Sequence, residues 1–251
     1  IIGGYAENGN AAGNQVIVTG DASVSGAIAG GFVVGTNSTG NATNNTVTLA
    51  TDAGANLAGT TIYGGLIRAG SGGTGDATTG NTLNVDTGHV EVKNIANFQT
   101  VNLNVNANTA PTAGQAMLAL NNATGTDLSG TQVNMQGAIA GGGQGQPLAT
   151  TVTLIRNTNG LTTDANTLSG TATIKQGVSL NHHYTLQADN NTLTATYNNQ
   201  TTVDPATGVF TNGRLATVGF RAGHRHGQSH GNHPCTRIRS LRRHPWQRHP
   251  A

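Results

Sequence analysis

Much that stabilises an ordinary globular protein is scarce in this chain of 251 residues. Its single cysteine is Cys235, close to the C-terminus, so no disulfide holds the body together. Aromatic residues make up 4% and charged residues 9%, which excludes a thick core of Phe, Leu and Trp and leaves a thin one of Val, Ile, Leu and Ala. Proline interrupts the body only at Pro111, Pro147 and Pro205. So little charge and proline also argues against a solvated disordered chain. No apolar run reaches the roughly 18 residues of a transmembrane helix, and no basic start leads into an apolar stretch as in a signal peptide. A cysteine-free body is compatible with passage through an oxidising space in an unfolded state.

What fills the gap is glycine, 37 residues of it, with abundant Asn and Thr, and their order repeats. Ile1-Ile2-Gly3-Gly4-Tyr5, Ile28-Ala29-Gly30-Gly31-Phe32 and Ile62-Tyr63-Gly64-Gly65-Leu66 are copies of one unit. Each runs through a small-residue stretch (Asn10-Ala11-Ala12, Asn41-Ala42-Thr43, Asp76-Ala77-Thr78) into an alternating strand. Those strands are Asn14-Gln15-Val16-Ile17-Val18, Asn45-Thr46-Val47-Thr48-Leu49 and Asn81-Thr82-Leu83-Asn84-Val85. A period of roughly 30 residues is the mark of a solenoid or array.

Period two puts Val16 and Val18, Val47 and Leu49, and Leu83 and Val85 on one dry face. Because the copies match in order, parallel stacking of one strand per coil buries like positions above one another at about 4.8 Å. The expected fold is all-β, a parallel β-helix. The Gly-Gly pairs are expected at its corners, where the backbone turns sharply, and Asn near the corners is expected to form hydrogen-bonded ladders. Further strands are expected around His89–Lys93, Thr100–Val105, Met117–Leu120, Gln132–Met135, Thr151–Ile155, Ala172–Lys175, Tyr184–Gln187 and Thr192–Tyr197. With no recognisable cap, both ends of the stack are expected to be bare strand edges that recruit other chains.

Chemistry is hard to find. Gly72-Gly73-Thr74-Gly75-Asp76 resembles a calcium-binding glycine nonapeptide, yet Asp76 falls one position early and nothing repeats it in tandem. Ala140–Gln146 is no dinucleotide fingerprint. The acids Glu7, Asp21, Asp52, Asp76, Asp86, Glu91, Asp127, Asp164, Asp189 and Asp204 are scattered, and Glu91 with Lys93 reads as a surface ion pair. His182 and His183, adjacent in a strand, point to opposite faces and are expected at the surface. No catalytic, cofactor-binding or metal-binding residue is assigned, and no cofactor is expected.

After Phe220 the composition changes abruptly. Arg221, Arg225, Arg237, Arg239, Arg242, Arg243 and Arg248 lie beyond it and none of the 10 acidic residues does, so the body carries −5 and the tail +7. The tail's His224, His226, His230 and His233 would hold metal only loosely, and its arginines would bind nucleic acid without specificity. The switch reads as out-of-frame translation of a GC-rich gene, and Ile1, lying inside a repeat, reads as a truncated N-terminus.

The Gly-Gly-aromatic unit, the Asn-X-Val-X-Val strand and the Gly/Asn/Thr filler together resemble the passenger regions of bacterial autotransporter outer-membrane proteins. The resemblance covers roughly residues 1–220, and Asn212–Phe220 looks like the start of the linker before the family's translocator barrel. It implies residues 1–205 as β-helix passenger repeats and 206–220 as the start of a linker, while composition sets 221–251 apart as a basic tail, disordered or frameshift-derived. It further implies a right-handed coil at the surface of a Gram-negative bacterium, acting as a non-enzymatic adhesin or presenting stalk. Its partners would be host or matrix glycans or surface proteins, with the translocator barrel expected in the full-length protein but absent here. No specific nucleic acid and no transmembrane helix are expected. The alternative is a polysaccharide-active β-helix enzyme, whose carboxylates would meet in one groove.

Overall fold

The structure, a computed structural model, describes residues 1–106, 108–109, 114–139, 147–177 and 179–204. The expectations for the linker and the basic tail lie outside the described residues, as does the Gly-rich stretch 140–146. The first strands are β1 (Ile2–Ala6), β2 (Gln15–Gly20), β3 (Gly26–Val33), β4 (Thr46–Thr51), β5 (Leu57–Ile67), β6 (Thr82–Val85), β7 (Val90–Ala96) and β8 (Thr100–Asn106). They are followed by β9 (Leu118–Leu120), β10 (Thr126–Asp127), β11 (Gln132–Ile139), β12 (Thr151–Asn157), β13 (Leu161–Thr162), β14 (Ala172–Gln176), β15 (Leu180–Ala188) and β16 (Thr192–Val203). The chain winds as a parallel β-solenoid of about five turns.

One wall stacks β1-β3-β5-β7-β9-β12 and the other β2-β4-β6-β8-β11-β14, every neighbouring pair parallel. A short third face pairs β10 with β13. Register turns the sequence repeat into continuous rows. Val16, Val47, Leu83, Val101 and Val133 pair in succession, as do Val18, Leu49, Val85, Leu103 and Met135, and all are buried. Each fully buried Val, Leu or Ile contributes about 1.5–3 kcal/mol, so the rows supply the hydrophobic stabilisation that few aromatics leave to be found.

The Gly-Gly pairs are not corners. Gly3-Gly4, Gly30-Gly31 and Gly64-Gly65 lie inside β1, β3 and β5, and none has positive φ. They are small because the coil is narrow there. A Cβ on Gly30 would come 2.6 Å from Asn45 Cβ, and one on Gly64 would come 2.5 Å from Asn81 Cβ. A Cβ on Gly31 or Gly65 would strike the carbonyl oxygen of Ala11 or Ala42 on the opposite side. The tight corners fall instead at Gly13 (φ 71°), Asn44 (φ 57°) and Gly80 (φ 71°), left-handed positions suited to Gly and Asn. Each immediately precedes a ladder asparagine.

That inner ladder is Asn14-Asn45-Asn81. The Asn14 amide N–H and side-chain Nδ2 donate to Asn45 Oδ1 at 3.0 and 2.9 Å, and those of Asn45 donate to Asn81 Oδ1 at 2.9 and 3.2 Å. Asn45 and Asn81 are fully buried. The ladder satisfies backbone groups that a tight corner would otherwise leave unpaired in the interior.

The two ends of the stack differ, contrary to the expectation of bare edges at both. At the C-terminal end, β15 and β16 form an antiparallel hairpin that joins the walls: β14 pairs with β15 and β12 with β16, both antiparallel. The hairpin thus covers the last edge of each wall. At the other end β1 and β2 keep one free edge each, and Ile1, Ile2, Tyr5 and Ile17 are exposed.

Candidate binding surface

The outer face of the β2-to-β14 wall carries an ordered polar array. Alternation sends Thr48, Asn84, Asn102 and Asn134 outward in paired register. Their side chains hydrogen-bond from rung to rung: Asn134 Nδ2 donates to Asn102 Oδ1 (3.0 Å), Asn102 Nδ2 to Asn84 Oδ1 (3.0 Å), and Asn84 Nδ2 to Thr48 Oγ1 (3.5 Å). A second row runs beside it, with Gln136 Nε2 donating to Asn104 Oδ1 (2.9 Å) and Asn104 Nδ2 to Asp86 Oδ1. An amide inside a ladder spends one donor and one acceptor site on its neighbours and keeps one of each for a ligand.

Where the rows reach β11 and β14 the face sinks into an open groove of about 690 Å³, lined among others by Asn104, Asn106, Gln136, Thr171, Thr173 and Lys175. Gly137, at φ 150° and with no room for a Cβ against the Val105 carbonyl, also lines the groove. Lys175 bears a charge at the edge and pairs with Asp204 Oδ2 at 2.8 Å.

Elsewhere the acids serve turns. Asp76 Oδ1 accepts the amides of Thr78 and Thr79 at 2.7 and 3.1 Å, within the motif that resembles a calcium loop. The expected Glu91–Lys93 ion pair is not formed: Glu91 Oε1 instead accepts Asn121 Nδ2 at 2.9 Å. Winding does bring Asp164 near enough for its charge to act against ionisation of Asp127. However, Asp127 Oδ1 accepts the Ser129 amide (2.9 Å), while Asp164 accepts the amides of Thr167 (2.8 Å) and Gly130 (2.9 Å). Hydrogen bonds from Ser129 hold Asp127, and those from Thr167 and Gly130 hold Asp164, below the usual carboxylate range, outweighing the repulsion felt by Asp127. Among the described residues no three His, Cys, Asp or Glu side chains are grouped to hold a metal ion.

The histidine pair does face opposite ways, but His182 is buried rather than at the surface. Its Nε2 lies 2.9 Å from Gln176 Oε1 and its Nδ1 2.8 Å from Thr201 Oγ1, which in turn lies 2.7 Å from the Tyr197 hydroxyl. A neutral ring with Nε2–H donating to Gln176 fits all three contacts. Burial, and secondly the neighbouring His183, lowers the His182 pKa from 6.5. Above 6.5 the ring is neutral folded or unfolded and the hairpin has its full stability. As pH falls below that value the unfolded chain takes the proton first, so stability declines toward the depressed folded pKa. Urea unfolding should therefore show a midpoint that drops between neutral and mildly acidic pH, and His182→Gln should remove much of that drop; an unchanged pH profile in the variant would contradict it.

The described residues thus form a parallel β-solenoid closed by a hairpin at its C-terminal end and displaying an amide ladder. Compared with known protein families, curated proteins and solved structures, the chain matches none.

Proposed function

We propose that this chain is a non-enzymatic solenoid of the autotransporter-passenger type, presented at or released from the surface of a Gram-negative bacterium, and that it adheres to glycans through its amide-ladder wall. The observation that carries the reading is the outer row Asn84-Asn102-Asn134 with Asn104 and Gln136 beside it, fixed in place by mutual hydrogen bonds. Side chains already ordered lose little rotamer freedom on binding, so even modest hydrogen bonds to sugar hydroxyls add up along the wall. A glycan chain laid along the rows would meet one amide per rung. The polysaccharide-enzyme alternative is weakened by Asp127 and Asp164, because a glycoside-cleaving pair needs one carboxyl with a raised pKa and both of these are lowered.

The test is a glycan-array screen of the whole chain, followed by Asn102→Ala with Asn134→Ala. Loss of two amides at about 0.5–1.5 kcal/mol each predicts roughly a tenfold weaker Kd with circular dichroism unchanged. Binding that survives the double variant unaltered would place the contact elsewhere, and cleavage of a bound polysaccharide would restore the enzyme reading.

A further inference from the structure

We propose that the groove at the β11–β14 end of the amide wall is a subsite for an acidic sugar, a uronic acid unit within a longer glycan, with Lys175 and Asn106 receiving its carboxylate. This rests on the reading of the wall as a glycan-binding surface and adds the class of glycan. Lys175 is the only charged residue in the strands β2, β4, β6, β8, β11 and β14 that build the wall. Its side chain is 58% exposed and that of its partner Asp204 only 11%, so the pair shows its cation to solvent. Of the three ammonium hydrogens Asp204 takes one, which steadies Nζ and leaves the others for a ligand.

The same row supplies a second donor. Asn106, Ala138 and Lys175 stand in paired register, and Ala138 between them is small and exposed. Asn106 Oδ1 already accepts the amides of Asn108 and Thr109 at 2.8 and 3.0 Å, so the side chain has Nδ2, a donor only, left to offer. Among the described residues neither Asp nor Glu lines the groove. A carboxylate accepts from an ammonium and an amide at once, through charge-assisted bonds stronger than those of a neutral hydroxyl. Gly137, Ala138 and the aliphatic stem of Lys175 offer apolar surface on which the C–H face of a sugar ring can rest. Beside this row Gln136 and Asn104 lead away from the groove, and the one acid they reach is Asp86 at the far end. A glycan with its acidic unit at Lys175 therefore meets neutral amides over the next rungs.

Calorimetric titration of the full chain with a galacturonic acid oligosaccharide should give a Kd roughly fivefold lower than titration with its methyl ester, which keeps the sugar and removes the charge. Lys175→Gln should abolish the difference. Ala138→Asp keeps Lys175, changes an exposed position and should weaken the acid form by more than the ester, which covers the case in which loss of Lys175 disturbs the hairpin. A second readout separates the groove from the basic tail, whose arginines attract any anion. Lys93 and Lys175 are the only lysines of the chain. The acid form should slow acetylation of Lys175, read by mass spectrometry, while Lys93 on the other wall reacts as before. No binding of the acid form, equal affinity for acid and ester, a preference for the acid that both variants retain, or an unprotected Lys175 would each overturn the subsite. The amide wall is judged apart, by the affinity lost in the Asn102→Ala, Asn134→Ala variant, and it stands if only the subsite fails.

Discussion

Asn81→Ala is expected to cost about 4 kcal/mol or more, since each buried polar group stripped of its partner costs roughly 1–3 kcal/mol and this side chain serves several. Its Oδ1 takes both Asn45 donors, and its Nδ2 reaches the carbonyls of Ala42 (2.8 Å), Ala77 (2.6 Å) and Asn97 (3.2 Å). Alanine abandons all of them inside the coil and opens a void against Gly64. Small domains have only about 5–15 kcal/mol in total, so the loss threatens the whole stack. Asn81→Asp should fare no better, because it keeps the acceptor but loses both donors and buries a charge. Asn10→Ala is the comparison. Asn10 also bonds to the next rung, through the Asn41 amide at 2.9 Å, but at an exposed site, and its loss should cost less than about 1 kcal/mol. Urea unfolding of the three variants checks the order; equal costs at Asn10 and Asn81 would show that the inner ladder is incidental.

Removing the hairpin is expected to convert a discrete particle into a polymer. A chain ending before Leu180 would bare the outer edges of β12 and β14 and uncover Leu154, Ile155 and Ile174, which Leu186, Leu193 and Ala195 help to enclose. Solenoids with naked ends stack or aggregate. The proper control ends at Asp204, which keeps the hairpin and the Lys175–Asp204 pair. Light scattering should rise with time for the shorter chain and stay flat for the control. A shorter chain that remains a well-folded small species would mean the hairpin does not act as a cap.

The solenoid itself is legible in the sequence, and for a definite reason. A buried row in a parallel stack requires the same residue class at the same point of each turn, so Val16, Val47 and Leu83 announce one another through their spacing alone. The inner-ladder asparagines are visible in the same way. The role of the glycines is not, since a repeated Gly-Gly is equally compatible with a bent backbone and with a crowded one. Only the opposing wall, with Asn45 and Asn81 against Gly30 and Gly64, decides for crowding. The cap escapes a reading by periodicity because parallel and antiparallel strands share the period of two. One signal does exist: only Asp189, Asn190 and Asn191 separate β15 from β16, too few for a parallel crossover. The outer ladder is hidden because Asn84, Asn102 and Asn134 are unevenly spaced, 18 and 32 residues apart, and become a row only through register. The burial of His182 depends on the same hairpin, so a sequence reading without the cap leaves the ring at the surface.

The two asparagine ladders have a further consequence for the field around the molecule. Along the inner ladder the amide-to-amide bonds run toward the hairpin, from Asn14 to Asn45 to Asn81, and only Asn81 Nδ2 turns back, to the Ala42 carbonyl. Along the outer rows every one points the other way, from Asn134 to Asn102 to Asn84 and from Gln136 to Asn104 to Asp86. Aligned amides polarise one another within a row, so each chain of dipoles is strengthened by its own length. Because the inner and outer chains run in opposite senses, their axial dipoles oppose. A coil built this way can lengthen turn by turn without accumulating the charged poles that a long α-helix develops at its termini.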